Sequence, residues 1–150
     1  MTQVSYPYQR RGSRRYGFIS NGKKRIEKVV DFIPLKTRHR FNLGFGDLSP
    51  DGAIDDKVNS NNGDIVKVLA TVVAILRNFT EQNPQAEIYF EGSTVERTVL
   101  YGRILKTYYT TFSKEFSIAC ILNDGNDFQM VPFDSSSDQK YLAFLIKRIS

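Results

Sequence analysis

Between residues 65 and 79 apolar side chains return every three or four positions. Ile65, Val68, Leu69, Val72, Val73, Ile75, Leu76 and Phe79 share one side of a helical wheel, and Lys67, Ala70, Thr71, Ala74 and Asn78 share the other. A helix of this kind is held by burying its apolar stripe more than by propensity, so it needs a packed partner. The flanking sequence supplies sheet. Tyr16–Ser20, Arg25–Leu35 and Arg40–Gly46 read as strands before the helix, and Ala86–Glu91, Phe116–Leu122, Phe128–Phe133 and Tyr141–Ile149 as strands after it. A second helix is predicted from about Thr94 to Phe112. The order β-β-β-α-β-α-β-β-β argues for an α+β fold, a curved and mostly antiparallel sheet with two helices packed on one face.

The punctuation agrees with that order. Asn21-Gly22 and the run from Asn123 to Asp127 are hairpin signals. Asn61 or Asn62 is placed to cap the first helix, Asp64 to complement its dipole, and Pro84 to end it. In the third strand Phe41, Leu43 and Phe45 alternate with Asn42, Gly44 and Gly46, so one face is bare enough for another backbone, a helix or a ligand to approach. Residues 1–15 have no apolar period and are expected to be a flexible basic arm, with residues 16–150 as a single domain.

The inventory for catalysis is thin. One cysteine excludes an internal disulfide and any multi-cysteine metal site, and Cys120 lies in an apolar run as a buried hydrophobe would. The single histidine, His39, has no nearby His or Cys to share a zinc ion. The loop from Asp55-Asp56 to Asp64 is rich in oxygen ligands, but no glutamate closes a twelve-residue calcium loop, so turn and capping chemistry is the reading. No catalytic residue, metal or cofactor is therefore expected. No stretch approaches the roughly 20 apolar residues of a membrane span, and a cytoplasmic setting is the expectation.

Charge is more informative. Residues 1–40 hold eleven Lys/Arg against two acids, and residues 41–150 hold ten against fourteen. Such asymmetry points to a polyanionic partner. The leading expectation is a binding module for nucleic acid, as a single strand. Arg10, Arg11, Arg14, Arg15, Lys23, Lys24 and Arg25 would contact phosphates, and Tyr16 and Phe18 would stack bases. A homodimer or protein partner on the open sheet face is a further expectation.

A second candidate lies where a strand runs into a helix, at Gly92-Ser93-Thr94-Val95-Glu96-Arg97. Ser93 or Thr94 is a natural N-cap, and the bare amides of a helix start favour anions. Arg97 falls among the apolar positions of that helix, so it needs carboxylates or carbonyls, with Asp55, Asp56, Asp64 and Glu91 as candidates. This is either a phosphate or nucleotide site, of a binding protein or an enzyme, or a structural lock, and the lock is the favoured reading.

Three blocks occur in order: Asn42-Leu-Gly-Phe-Gly-Asp47; Asp55-Asp56 with Ser60-Asn-Asn-Gly-Asp-Ile-Val-Lys-Val-Leu-Ala-Thr-Val72; and Gly92-Ser-Thr-Val-Glu-Arg-Thr-Val-Leu-Tyr101. Together, over residues 16–148, they resemble a family of small bacterial proteins, typical of Bacteroidetes, classed as a domain of unknown function. The resemblance implies no activity. Val99 stands where a second basic residue would be expected after Arg97-Thr98, which leaves one donor fewer for an anion.

Overall fold

The structure, a computed structural model, describes residues 4–55, 62–92, 94–123, 127–137 and 141–149. Among these residues it is α+β and mostly antiparallel. Its elements are β1 (Tyr8–Arg10), β2 (Arg15–Asn21), β3 (Arg25–Pro34), β4 (Arg40–Leu48), β5 (Ile54–Asp55), α1 (Ile65–Gln82), β6 (Glu87–Phe90), α2 (Val95–Thr107), α3 (Tyr109–Phe112), β7 (Phe116–Asn123), β8 (Phe128–Pro132) and β9 (Ala143–Arg148). The expected order of strands and helices holds, with two short strands, β1 and β5, added. The second helix is broken at Tyr108, in a run of Thr and Tyr residues that lose side-chain freedom in a helix. No described helix is long and apolar enough to cross a membrane.

The chain forms two compact units. The first takes Thr2–Pro34 and Asn42–Asn83. Its strands run β1-β2-β3-β4, with β5 also on β4. Arg15 stands opposite Asp31 and Asn21 opposite Arg25 along the β2–β3 ladder, and Tyr8 opposite Phe18 along β1–β2. Strand β1 thus lies inside the stretch read as an arm. Even-numbered β2 residues face α1: the Tyr16 hydroxyl donates to Asn78 Oδ1 at 2.9 Å and the Ser20 hydroxyl to Asp64 Oδ2 at 2.6 Å. Phe32 of β3 stacks on Phe79 of α1 with ring centroids 3.9 Å apart. The buried stripe of α1 runs through Val68, Thr71, Ile75, Leu76, Phe79 and Thr80, so it is rotated from the expected one, and Ile65 is exposed. Thr71 and Thr80 can be buried because their hydroxyls donate to the carbonyls of Lys67 and Leu76.

The start of α1 also differs from expectation. Asp64 occupies the N-cap position without a side-chain capping bond. Its carboxylate instead accepts the hydroxyls of Tyr6 and Ser20, each at 2.6 Å. Asn62 does not cap. Its amide donates to Ser20 Oγ and the Lys24 carbonyl, its side-chain oxygen accepts the Lys24 N–H, and its backbone carbonyl accepts the Lys23 N–H. It is a clamp on the β2–β3 turn. Asn61, the other candidate cap, lies outside the described residues.

The second unit takes Leu35–Phe41 and Pro84–Ser150. Beside the first residues of β4, where Arg40 pairs with Glu87 at 2.9 Å, its strands run β6-β9-β7-β8. Phe116, Cys120, Phe144, Ile146 and Ile88 form its core with Phe112 and Leu105. The absent side chain at Gly102 lets the Phe144 ring lie against α2. Strand β8 ends the order with Phe128 and Met130 exposed.

Burial pushes the Cys120 thiol up to about 12 and raises Tyr6 and Tyr16 above the ordinary tyrosine value. A folded-state pKa above the unfolded one gives stability that is complete below the unfolded value and lost as pH rises through the folded one. Urea midpoints should therefore hold up to about pH 9 and fall toward pH 11. The thiol alone would contribute a loss on the order of 2–3 kcal/mol at pH 11. A midpoint that does not change between pH 8 and pH 11 would contradict this burial.

Candidate nucleic-acid interface

Of the eleven basic residues among the first forty, Lys36 and Arg38 are exposed in the second unit, and the other nine are of two kinds. Four are committed inside the fold. Arg10 donates to the carbonyls of Gly12 and Ser13, stapling the β1–β2 loop. Arg15 makes two bonds to Asp31, at 2.6 and 2.8 Å, and a third to the Gly52 carbonyl. Those bonds raise its pKa despite partial desolvation. Lys28, almost buried, pairs with Asp47 and lies over the Phe45 ring. Arg40 pairs with Glu87 in the second unit.

Five others, Arg11, Arg14, Lys23, Lys24 and Arg25, are exposed, and among the described residues their side chains make no hydrogen bond or ion pair. The register places them. Arg11 and Arg14 lie in the β1–β2 loop at the Arg15 end of β2, and Lys23, Lys24 and Arg25 at the opposite end. The six steps from Arg15 to Asn21 span about 20 Å. Arg11 does not hang free at its end. A Cβ built on Gly17 would stand 2.6 Å from Arg11 Nε, so the Arg11 side chain lies across Gly17, on the face of β2 turned away from α1. Arg25 belongs to that same face through its pairing with Asn21.

Tyr16 and Phe18, expected as stacking groups, are core residues. Tyr16 is fully buried, edge-on to Phe32 and Tyr8. Phe18 is 4% exposed, sandwiched between the rings of Tyr6 and Phe45. Both take the α1 side of β2, so their faces pack on protein.

Beside the β1–β2 loop lies a groove of about 340 Å³, lined by Gly12, Ser13, Arg14, Arg15, Asp31, Phe32, Ile33 and Pro34. The Phe32 N–H donates to the Arg14 carbonyl and holds the loop against β3. Asp31, Ile33 and Pro34 were not singled out in the sequence. Only the cross-strand pairing of Arg15 with Asp31 brings them to the arginines.

The other candidate lies at the start of α2. Thr94 is the N-cap, and its Oγ1 accepts the Arg97 N–H at 3.2 Å. The buried Thr98 hydroxyl donates to the Thr94 carbonyl and accepts the Gly92 N–H. Gly92 leaves no room for a side chain, since a Cβ there would stand 2.5 Å from the Thr98 nitrogen. Arg97 is half-buried, in the second unit, and Glu91 is exposed. Asp55 lies opposite Asp47 on the β4–β5 ladder, and Asp64 serves Tyr6 and Ser20. Asp56 and Ser93 lie outside the described residues.

Fold and surface together define an α+β protein with an exposed cationic hairpin beside a shallow groove. The chain belongs to a family of unknown function, DUF6934, whose model matches residues 2–149. No curated protein and no solved structure matches it.

Proposed function

We propose that this chain is a binding module for nucleic acid, taken as a single strand along the β2–β3 hairpin. The observation that carries the proposal is the division of the cations. The fold uses Arg10, Arg15, Lys28 and Arg40 for its own carboxylates and carbonyls, while the side chains of Arg11, Arg14, Lys23, Lys24 and Arg25 are exposed and make no hydrogen bond or ion pair among the described residues. Guanidinium and ammonium groups so placed attract phosphates and release counterions. The roughly 20 Å between the two ends of the hairpin suits a backbone laid along the strands.

Fluorescence anisotropy with a labelled single strand tests this. Affinity should fall with salt along a log–log slope of about −2 to −4, the range for three to five phosphate contacts on a single strand. No binding at low salt, or binding indifferent to salt, would end the proposal.

A further inference from the structure

We infer that the groove beside the β1–β2 loop is a base subsite: it takes one unstacked base of the bound strand and favours bases that carry an exocyclic amino group over thymine or uracil. The inference rests on the nucleic-acid reading above and deepens it. With Tyr16 and Phe18 buried, the phosphate-facing cations alone would bind any polyanion, and something else must meet a base. The groove is next to the cations and has the right mixture of surfaces. Its volume of about 340 Å³ lies at the small end of ligand sites. Ile33, nearly half exposed, and Pro34 give it an apolar wall for the flat face of a base.

Its polar wall is the Arg15–Asp31 pair, held in place by the Gly52 carbonyl. Each Asp31 oxygen accepts one bond from Arg15. An ionised carboxylate has about four acceptor sites, so roughly half remain for an incoming N–H. Carboxylates recognise the N4 amino group of cytosine in this way, whereas the O4 of thymine meets them oxygen to oxygen. Arg14, whose side chain is exposed at the groove wall with no hydrogen bond or ion pair among the described residues, is placed for the adjoining phosphate. A duplex exposes base edges in its grooves but keeps the flat base faces stacked inside, so only an unpaired base can lay its face against Ile33 and Pro34.

The test compares oligo-dC and oligo-dT of equal length by anisotropy, on the wild-type chain and on Ser13→Phe. Ser13 is exposed in the loop and away from the core, so the larger ring fills the groove while the fold stands. Oligo-dC should bind the wild type about tenfold more tightly than oligo-dT. In Ser13→Phe the ratio should collapse toward one while oligo-dT affinity stays as it was. Equal binding of the two strands by the wild type, or a ratio that survives Ser13→Phe, overturns the subsite and leaves the phosphate reading standing. Binding of neither strand overturns both.

Discussion

Replacing Asn62 with alanine is expected to destabilise the fold by about 2–4 kcal/mol, although the residue lies in a loop. The side chain is 6% exposed and makes three hydrogen bonds, to Ser20 Oγ and to the N–H and carbonyl of Lys24. Alanine keeps the backbone bond to Lys23 but leaves those groups unmatched in a region where water has little access. Their desolvation, more than the lost bonds, sets the size of the effect. The damage should also spread, because Ser20 donates to the same Asp64 oxygen that anchors Tyr6. Equilibrium urea unfolding measures the loss, and hydrogen exchange at the Lys24 amide locates it. A change below about 0.5 kcal/mol, the usual range for exposed loop positions, would show that the clamp is idle.

The same turn shows what could be read from the chain and what could not. Asn21-Gly22 announced a hairpin, and a hairpin is there. The reason for the glycine is different from the one the dipeptide suggests. Gly22 is not in the left-handed region; among the described residues the positive-φ glycines are Gly52 and Gly63. Gly22 is bare because the Asn62 carbonyl oxygen would lie 1.9 Å from a Cβ there. Gly46 behaves similarly: the alternation of β4 marked a face open to another backbone, and the Asp55 carbonyl passes 2.5 Å from where its Cβ would be. Periodicity reveals that a face is bare, but the occupant comes from residues many positions away.

That limit explains the other differences. The strand and helix order was legible because each element carries its own period, and Thr94 was legible as one of two candidate caps, with Ser93, because capping is local. The burial of Tyr16 and Phe18 was not, since the basic residues around them suggested an exposed surface. Strand alternation sends Tyr16 and Phe18 to α1 while their neighbour Gly17 faces Arg11. Tyr6 looked like part of an arm because its partners, Asp64 and Thr71, are 58 and 65 residues away. Among the cations, composition showed the excess but could not separate Arg15, tied to Asp31, from Arg14, whose side chain makes no ion pair among the described residues.

The second large effect concerns binding. Reversing Arg14, Lys24 and Arg25 together to glutamate should lower single-strand affinity by about two to three orders of magnitude at roughly 50 mM salt, because each lost phosphate contact forfeits about a tenfold gain from counterion release at that concentration. The salt slope should flatten by about 2 units in the same experiment. Stability should change by less than about 0.5 kcal/mol per site, as for other exposed positions without special geometry. All three side chains are exposed, and where their backbones serve the fold, as at Arg14 and Lys24, the substitutions leave those bonds intact. Unaltered affinity in the triple variant would move the interface off this hairpin.

The docking of Tyr6 sets an order on how the chain is assembled as it is made. Its amide donates to Thr71 Oγ1, its hydroxyl to Asp64, and Lys67 lies over its ring at 4.3 Å, so every one of these partners belongs to α1 or its first cap. At a synthesis rate of about 5–20 residues per second, Tyr6 is added some 3–13 seconds before Thr71. During that interval β1 and β2 can pair and Tyr6 can meet Phe18 and the Asn21 amide of β2, but its bonds to Asp64 and Thr71 must wait. The segment around Tyr6 is thus among the last of this unit to settle, closing over a helix that did not exist when it was made.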